Sequence, residues 1–352
     1  MGFVASFVFF LLLIGTSPEA QAFGEANRYL VYSPSSITRK ALGGVRNDFI
    51  SVFSADLTSF QLRVARMLGA KVEKVNKLYI SSVNWGVEFM QNTPNITSTS
   101  GGRGVTIAVL DTGSTVHSDL NRVISDCRDF TQTKALVAKS CNDGNGHGTH
   151  VAGILVADGG ENGNGMFGIA PNAKLVVYKV CNDNGMCFED DIAAAIRMAA
   201  DAGANLINMS FGGEKTTPLI ADALKYASSK GVLVVAAAGN NGPFDDSVEY
   251  PAAYPNVIAV GALTEKGKIA QWSSRGMQVI LFAPGENIQS TWKDGGYETL
   301  SGTSMAAPFV TGLAAKFWSA LLSQTSDGET QFTSTSIAPL VRESLTDYLR
   351  QP

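Results

Sequence analysis

The sequence is poor in histidine, in cysteine and in charge for its length. Of its 352 residues only three are histidine and four are cysteine, and the charged residues make up 16%. With 31 acidic and 27 basic residues the net charge is -4, so we expect no basic surface and no nucleic-acid partner. Apolar residues make up 45%, which excludes a disordered chain, and the length suffices for one large domain or two ordinary ones.

Long apolar runs are also scarce, and the clearest one lies at the start of the chain. Phe3–Ile14 is nearly all apolar, and Ala20-Gln21-Ala22 follows with the small residues that signal peptidase requires. The run is too short to span a bilayer well, although an uncleaved anchor is the alternative. We therefore predict a signal peptide over residues 1–22, a secreted, extracellular protein, and no stable membrane span after its removal.

The four cysteines are even in number, as expected of a protein in an oxidising compartment. They allow three pairings, and closeness in the sequence favours Cys127 with Cys141 and Cys181 with Cys187. A zinc site with four thiolates is the alternative, but the C-x-x-C spacing typical of such sites is missing. We therefore expect two disulfides.

Two sequence triplets match the acceptor pattern for N-glycosylation. Asn95-Ile96-Thr97 lies in a polar stretch with loop character and is predicted to carry a glycan. The triplet that begins at Asn208 lies in an apolar segment predicted to be a core strand, where a glycan cannot fit.

Charge and pattern divide the remaining chain in two. Residues 23–83 carry nine basic and four acidic side chains, whereas residues 84–352 carry 18 and 26. Opposite charges favour docking of the two parts, although two solvated faces are the alternative. The first part combines β-like runs at Tyr29–Tyr32 and Lys77–Ser81 with a helical pattern at Ser59–Leu68, which predicts a small α+β unit.

From residue 104 onward, apolar runs alternate with helical patterns. The runs lack polar alternation, as strands covered on both faces do, and lie at residues 105–110, 175–180, 206–209, 232–238 and 257–260. The helical patterns between them lie at His147–Val156, Asp190–Ala202 and Pro218–Lys230. This order predicts an α/β fold, mainly a parallel sheet with helices on both faces, and functional groups gather at the carboxyl ends of such strands.

Any chemistry that needs an imidazole must use His117, His147 or His150. His147 opens a helical pattern between two glycines, which let other segments approach closely. His150 follows one turn later, and we interpret it as an interior neighbour rather than a second base. Asp111 ends the first apolar run, at the expected carboxyl edge of the sheet.

Ser304 lies in a glycine-opened loop that leads into an apolar helix, with Pro308 expected near the first turn. A serine hydroxyl becomes a nucleophile when a neutral imidazole accepts its proton and a carboxylate orients that imidazole. Asp111, His147 and Ser304 supply these three roles, although each taken alone also has a structural explanation as a turn, core or capping residue. Asn240 ends another apolar run with a carboxamide that can stabilise an oxyanion.

With these four positions the sequence resembles the subtilisin-like serine proteases. The matching segments are Asp111-Thr112-Gly113, His147 to Gly153, Ala237 to Asn240 and Gly302 to Pro308. The likeness covers residues 84–352, which are then a subtilisin-like peptidase domain. Residues 23–83 resemble, more faintly, the inhibitor-type propeptide that such proteases carry as a folding chaperone and intramolecular inhibitor.

The resemblance implies a function and a role for each of these residues. It implies a monomeric serine endopeptidase that hydrolyses polypeptides through an acyl-enzyme and is made as a self-processing zymogen. Asp111 then orients His147, which shuttles the proton, and Ser304 attacks the scissile carbonyl. Asn240 and the Ser304 backbone N–H bind the oxyanion.

The resemblance also implies a set of substrate contacts: Ser210, Phe211, Gly212, Ala238 and Gly239. Glu249 falls where the family has a residue near the floor of the primary specificity pocket. A carboxylate there favours Lys or Arg before the cut, and a solvent-facing Glu249 is the alternative.

Calcium is the ion that the sequence favours, and no organic cofactor is expected. The stretch from Asp158 to Gly165 is polar and glycine-rich, and such a loop can wrap oxygen ligands around a hard cation. The resemblance implies a structural calcium held by Asp119, Asn162 and the main-chain oxygens of Gly160, Asn164 and Met166. The loop is longer than the usual pattern, and a plain surface loop is the alternative.

Three other functions are compatible with parts of the sequence. Residues 111–114 match the aspartic-protease signature, but no second Asp-Thr/Ser-Gly triplet occurs. A metallohydrolase using His147 and His150 lacks the usual spacing and the accompanying glutamate. A catalytically silent binding protein would lack at least one of the four reactive positions, and all four are present.

Overall fold

The computed structural model describes residues 27–33, 36–42, 45–48, 52–74, 84–132, 137–138, 140–215, 217–325 and 333–349. The predicted signal peptide and the strand predicted at Lys77–Ser81 lie outside the described residues. The chain divides into two compact units, Met1–Leu78 and Tyr79–Pro352. The assignment of these parts as propeptide and peptidase stays a prediction.

The first unit is a four-stranded antiparallel sheet with two helices. Its elements follow in the order β1 (Asn27–Tyr32), α1 (Ser36–Leu42), β2 (Val45–Asp48), β3 (Val52–Leu57), α2 (Ser59–Met67) and β4 (Lys71–Lys74). The strand order is β2-β3-β1-β4, the split β-α-β arrangement of ferredoxin-like folds. Helix α2 begins with a capping box formed by Thr58 and Gln61. The prediction of a small α+β unit is confirmed.

The second unit is built on an eight-stranded sheet. Its strands are β5 (Thr106–Asp111), β6 (Ile124–Asp129), β7 (Val137–Ala138), β8 (Lys174–Lys179), β9 (Leu206–Met209), β10 (Leu233–Ala237), β11 (Val257–Leu263) and β12 (Val279–Pro284). The strand order is β12-β11-β10-β9-β5-β8-β6-β7, and all neighbours run parallel except β6 and β7. The predicted, mainly parallel sheet is confirmed.

Helices cover both faces of this sheet, and a hairpin lies beside it. The elements are α3 (Trp85–Gln91), α4 (His147–Val156), α5 (Glu189–Asp201), α6 (Pro218–Ser229), the hairpin strands β13 (Ile288–Thr291) and β14 (Tyr297–Leu300), α7 (Thr303–Thr325) and α8 (Ser334–Leu349). One core contains residues of α3, α4, α7 and α8, and the core on the other face contains residues of α5 and α6. Because β9 and β10 are buried along their whole length, their sequences show no polar alternation.

Helix α7 is the one described helix long and apolar enough to cross a membrane by length and composition. Two-thirds of its most apolar stretch is buried inside the fold, so it is the central helix of the larger core. Pro308, which was expected near the first turn, is the sixth residue of this helix and lies in its second turn.

The sheet register sets the position of the candidate residues. Leu110 of β5 pairs with Met209 of β9, and Met209 pairs in turn with Ala236 of β10. The three strands therefore end side by side, with Asp111 at the end of β5 and Ser210 directly after β9. Neighbouring strands in a sheet lie about 4.8 Å apart. This places chemistry-bearing residues from distant parts of the chain at one edge.

The remaining local predictions are tested by bonds and burial. Both favoured disulfides, Cys127–Cys141 and Cys181–Cys187, are formed. Asn208 is fully buried in β9, which confirms that a glycan cannot fit there. Asn95 is exposed, so it remains a predicted acceptor.

Candidate active site

Asp111 and His147 form a bonded carboxylate–imidazole pair at the end of β5. The Nδ1 atom of His147 lies 2.7 Å from Oδ1 of Asp111, whose side chain is almost fully buried. The same oxygen accepts the backbone N–H of Thr112 at 2.7 Å. Because the hydrogen bond engages Nδ1, the other ring nitrogen, Nε2, is left to exchange a proton with a substrate or a nucleophile.

Opposing effects set the pKa of His147. Burial lowers the pKa, but the charge and hydrogen bond of Asp111 and the charge of Asp143 raise it by more, so the pKa lies above 6.5. The protonated ring therefore persists to higher pH than that of a free histidine. A protonated ring cannot act as a base, so alkaline conditions favour this chemistry.

We expect kcat/KM for a peptide substrate to rise with pH through a midpoint above 6.5. The sign follows from the raised pKa, because the neutral imidazole forms only as the pH increases through that value. Initial rates between pH 5 and 10 measure the midpoint, and circular dichroism at each pH shows whether the protein remains folded. A midpoint below 6.5 in the folded protein contradicts the expectation.

Ser304 is bonded to the end of the neighbouring strand. Its hydroxyl donates to the carbonyl oxygen of Ser210 at 2.7 Å, and the Ser210 hydroxyl donates to the carbonyl of Ser304 at 2.9 Å. That carbonyl is available because Pro308, four residues later in α7, has no N–H to donate to it. The Ser304 hydroxyl is bonded to Ser210 and not to His147, so the side chain must rotate before its hydroxyl can bond to the His147 ring.

The helices that carry His147 and Ser304 pack against each other. His147 is the first residue of α4, and its bond to Asp111 places the helix start at the end of β5. Ser304 is the second residue of α7, and its bonds to Ser210 place that helix start at the end of β9. The two helix starts therefore meet at the ends of adjacent strands.

Asn240 follows β10, and its carboxamide is oriented by Thr303. The Oδ1 atom of Asn240 accepts the backbone N–H of Thr303 at 3.0 Å and its hydroxyl at 3.1 Å, which directs Nδ2 away from Thr303. A Cβ built on Gly302 would lie 3.6 Å from Nδ2 of Asn240 and 3.7 Å from the backbone nitrogen of Ser304. Two nitrogen donors thus flank one small space, as stabilisation of an oxyanion requires.

The other two histidines are structural. Nε2 of His150 lies 3.0 Å from the Ile288 carbonyl and 3.1 Å from the Glu298 carbonyl, so it is the donor. Burial lowers the pKa of His150 to about 4 and keeps the ring neutral. His117 is also buried and lies 2.9 Å from the carbonyl of Gly296. The prediction that His150 is an interior neighbour is confirmed.

Glu249 lies beside two predicted substrate-binding glycines. A Cβ at Gly212 would collide with the Glu249 carboxylate, and a Cβ at Gly239 would lie 2.7 Å from its Cδ. Oε1 accepts a bond from Nδ2 of Asn241 at 2.6 Å. Burial raises the pKa of Glu249, and the negative charge of Glu214 raises it further. The hydrogen bond from Asn241 lowers this pKa and so opposes both effects. The carboxylate is thus partly buried and lies against the two glycines.

The other predicted substrate contacts lie at the same sheet edge. Ser210 is buried and Phe211 and Gly212 are more exposed just beyond β9, while Ala238 is buried just beyond β10. Gly213 exchanges two backbone hydrogen bonds with Tyr250, which joins the segment after β9 to the segment that carries Glu249.

The predicted calcium loop faces the buried carboxylate of Asp119. Oδ2 accepts the backbone N–H of Met166 at 2.8 Å and the hydroxyl of Tyr297 at 2.7 Å, and Oδ1 accepts the Ser118 hydroxyl at 2.9 Å. A Cβ at Gly165 would collide with this carboxylate, and one at Gly160 would lie 3.0 Å from Oδ1. The glycines thus let main-chain atoms approach the carboxylate closely.

Calcium at this loop stays a prediction. The predicted ligands are oxygens, and Asn162 and Asn164 lie on the exposed part of the loop. Within the described residues, no group of three or more His, Cys, Asp or Glu side chains is placed to hold a metal ion.

The geometry also decides between the alternative mechanisms. Asp111 is paired with an imidazole, whereas an aspartic protease pairs two carboxylates. Nε2 of His150 is occupied by two carbonyls, so the metallohydrolase hypothesis loses one of its two ligands.

Two residues that hold this site together were not expected from the sequence. Thr303 orients Asn240, and Asp143 bonds the segments that carry Asp111 and His147. Thr303 lies inside a segment that matches the family, so its position near the site could be expected from the sequence. Its hydrogen bond to Asn240 could not. Asp143 lies three residues before the capping position, which Gly146 occupies, so the sequence carries no ordinary capping signal for it.

A parallel α/β sheet with a carboxylate–imidazole pair and a helix-borne serine at its carboxyl edge is the architecture of a serine hydrolase. Residues 102–347 match the subtilase family. A subtilisin of Bacillus sp. (strain TA39) is 42% identical over 348 residues, covering 85% of this chain and 83% of the relative. An intracellular serine protease of Paenibacillus polymyxa is 41% identical over 240 residues, covering 67% and 73%.

Solved structures agree with the sequence comparisons. Sphericase superposes with a TM-score of 0.69 at 43% identity, covering 75% of this chain and 90% of that one. The S41 psychrophilic protease gives a TM-score of 0.68 at 43% identity, covering 74% and 89%. The chain belongs to the subtilase family and is a subtilisin-like serine endopeptidase.

Proposed function

We propose that this endopeptidase cleaves polypeptides with Asp111, His147 and Ser304 and passes through an acyl-enzyme intermediate. The observation that carries the proposal is the 2.7 Å bond between Asp111 and His147 at the end of β5. The strand next to it, β9, ends directly before Ser210, to which Ser304 is bonded. These residues supply an orienting carboxylate, a base and a nucleophile.

The reaction begins when the Ser304 hydroxyl turns from the Ser210 carbonyl toward Nε2 of His147. Oγ then attacks the scissile carbonyl carbon while its proton passes to Nε2, and Asp111 stabilises the imidazolium that forms. The negative charge on the substrate oxygen falls between Nδ2 of Asn240 and the backbone N–H of Ser304.

The intermediate collapses when the imidazolium of His147 gives its proton to the leaving amine. The C–N bond breaks, and the substrate's acyl group remains as an ester on Ser304. Water then attacks this ester, with His147 again accepting the proton, and the free acid and the Ser304 hydroxyl are released.

We further propose that the chain is secreted and made as a zymogen. Residues 1–22 would be its signal peptide, residues 23–83 its inhibitor-type propeptide and residues 84–352 its peptidase domain. The separate core and the β-α-β-β-α-β order of the first unit support a propeptide that folds as a unit. The mass and the amino terminus of the secreted protein test both cleavages.

Covalent labelling tests the proposed nucleophile. A fluorophosphonate should attach to Ser304 in the purified, processed enzyme and abolish cleavage of casein. Peptide mapping identifies the labelled residue, and pepstatin, which acts on aspartic proteases, should have no effect. Label on a different residue, or casein cleavage that persists after labelling, would reject Ser304 as the nucleophile.

Glu249 should give the enzyme a preference for Lys or Arg before the cleaved bond. Its partly buried carboxylate lies against Gly212 and Gly239, with Glu214 adding negative charge. We expect Glu249→Gln to lower kcat/KM for an Arg substrate by about tenfold, since one charged contact is lost, with little change for Phe. Peptides with Arg, Phe or Leu at this position measure the ratio, and Glu214→Gln is a matched control with an expected smaller effect. An Arg/Phe ratio that is the same in both enzymes contradicts the preference.

We propose that Asp119, Asn162, Gly160, Asn164 and Met166 hold a structural calcium. When bound, the ion would join the loop to the rest of the fold through charge and coordination. At calcium 100 times the Kd, binding adds about 2.7 kcal/mol of stability, which is about 5–10 °C in Tm for a domain of this size.

Thermal melting of the non-cleaving Ser304→Ala protein measures this effect with calcium or with EGTA. Chelation should lower Tm by that amount, and Asp119→Asn should largely abolish the difference. Asp158→Asn is the matched control, because Asp158 is bonded to Arg122 and is not a predicted ligand. If calcium raises the Tm of Asp119→Asn as much as that of Asp158→Asn, Asp119 is not a calcium ligand.

A further inference from the structure

Asp143 is a buried carboxylate that the proposed reaction does not use. It lies between Cys141 and the start of α4, and its exposure is only 3%. An ionised carboxylate in such a place must be compensated by hydrogen bonds or by a positive charge. The contacts of its two oxygens therefore show what it holds in place.

Five donors compensate Asp143. Oδ1 accepts the backbone N–H of Gly146 at 2.7 Å, that of Asn145 at 3.1 Å and the Thr112 hydroxyl at 2.9 Å. Oδ2 accepts the backbone N–H of Thr149 at 2.9 Å and its hydroxyl at 2.6 Å. Every partner is a donor, so the position requires two acceptor oxygens.

These bonds complete the start of the helix that carries His147. The capping position is occupied by Gly146, which has no side chain and a φ of 108°. The helix N–H groups of His147, Gly148 and Thr149 are instead bound by the Asn145 carboxamide, the Thr112 hydroxyl and Asp143, respectively. Three side chains outside the helix thus replace an ordinary cap, and the negative charge of Asp143 complements the helix dipole.

Thr112 connects this cap to the proposed orienting carboxylate. It follows Asp111 directly, and its hydroxyl donates to Asp143 while accepting the N–H of Gly148. The backbone N–H of Thr115 also donates to the Thr149 hydroxyl at 3.1 Å. The segments on either side of the Asp111–His147 bond therefore share one buried network centred on Asp143.

We propose that Asp143 is a positioning residue for catalysis, which fixes the Asp111–His147 pair and places a second buried negative charge near the imidazole. The proposal rests on the proposed function. Asp143 touches neither the substrate nor the reacting atoms, because all its described bonds are to Thr112, Asn145, Gly146 and Thr149.

Other charges near His147 come from several elements and must be distinguished from that of Asp143. Asp111 is on β5, and His150, on α4 itself, is neutral above about pH 4. Lys179 donates to the Thr112 carbonyl at 2.6 Å and pairs with Asp183 at 2.7 Å. Lys293, from the hairpin, donates to the carbonyl of Gly144 at 2.7 Å.

Direct titration of the His147 ring tests the charge effect. The chain has only three histidines, so proton–carbon NMR shows few ring signals, and His147→Gln identifies the relevant one. In full-length Ser304→Ala protein, Asp143→Asn should lower the His147 pKa by at least about 0.5 unit. Asp183→Asn should lower it by less than about 0.2 unit, because Asp183 is largely exposed although it also bonds this loop.

The signal of His150 reports whether each variant is folded. In the folded protein this ring stays neutral down to about pH 4, whereas in an unfolded chain it titrates near 6.5. Two results in folded protein would overturn the electrostatic part of the proposal. One is a His147 pKa that Asp143→Asn leaves unchanged, and the other is a His147 pKa that Asp183→Asn lowers by the same amount.

Kinetics of the processed enzyme test the positioning effect. Asp143→Asn presents an N–H₂ group to donors, so we expect kcat to fall about 10- to 100-fold with KM changed much less. Asp143→Glu keeps the negative charge, but its longer side chain cannot place the carboxylate in the same position among the donors. We therefore expect the pH midpoint of kcat/KM to stay at the wild-type value while kcat falls. A kcat within twofold of wild type for Asp143→Asn overturns the positioning role.

Thr112→Val covers the case in which Asp143→Asn does not fold. It removes the bridging hydroxyl and leaves the charge, so kcat should fall about tenfold with the pH midpoint unchanged. A kcat within twofold of wild type again overturns the positioning role. Fluorophosphonate labelling of Ser304 in the wild type remains a separate test, so failure of the proposed function and failure of this inference are distinguishable.

Discussion

Replacement of Ser304 by alanine should reduce kcat by about 10⁶-fold, the effect known for a subtilisin that lacks its nucleophile. The hydroxyl is the proposed attacking group, so its removal eliminates the acyl-enzyme and leaves only the contribution of substrate binding and the oxyanion donors. The fold should persist, because alanine removes one oxygen and the hydrogen bond to the Ser210 carbonyl. Casein hydrolysis, fluorophosphonate labelling and thermal melting measure these consequences.

The same variant tests self-processing. If the propeptide is removed within the molecule, purified Ser304→Ala protein should keep residues 23–83 attached, and its mass should show this. Added wild-type enzyme provides the control, since cleavage in its presence shows that the site is accessible. Propeptide release by isolated Ser304→Ala protein would contradict self-processing, and casein turnover by it near the wild-type rate would contradict the proposed nucleophile.

Replacement of Asn240 by alanine should reduce kcat by about 10²- to 10³-fold, or about 3–4 kcal/mol of barrier. This is the range known for the removal of an oxyanion donor, including the one in a subtilisin. KM should stay nearly unchanged, because the donor stabilises the transition state rather than the bound substrate. Asn240 is exposed, so the substitution creates no buried cavity. Steady-state kinetics on one peptide substrate measure both constants.

Thr303 provides the matched control for Asn240. Its hydroxyl donates to Oδ1 of Asn240 and accepts the backbone N–H of Gly239 at 3.1 Å. Thr303→Val should therefore lower kcat less than Asn240→Ala does, because the carboxamide remains but is less firmly oriented. Thr303→Ser keeps the hydroxyl and should stay near wild type. A loss below about tenfold for Asn240→Ala would remove Asn240 from the proposed oxyanion site.

The parallel sheet could be predicted because its central strands are buried on both faces. Such strands carry unbroken apolar runs, as β9 and β10 do, and the residues that follow them must reach the carboxyl edge. The sequence did not indicate β6, β7, β12, β13 or β14. Strand β7 has only two residues, β6 is only partly buried, and the other three include exposed residues. Local hydrophobicity carries no signal for such strands.

The candidate site could be predicted by residue type and order but not by its bonds. The sequence indicates Asp111, His147 and Ser304, because a base, its orienting acid and a nucleophile are needed together. The bond of Ser304 to Ser210 and the network around Asp143 depend on which strands become neighbours. That information is tertiary, since the partners are separated by 94 and 31 residues.

The proline in the second turn of α7 has a consequence for the moving part of the reaction. An ordinary residue at position 308 would direct its N–H to the Ser304 carbonyl, where it would compete with the Ser210 hydroxyl. With Pro308 that carbonyl is left to the Ser210 hydroxyl, so the main chain of the proposed nucleophile stays bonded to the segment after β9 when the Ser304 hydroxyl leaves the Ser210 carbonyl. In the proposed reaction the Ser304 hydroxyl then reaches His147 by rotation about one side-chain bond, while the backbone keeps its bond to Ser210.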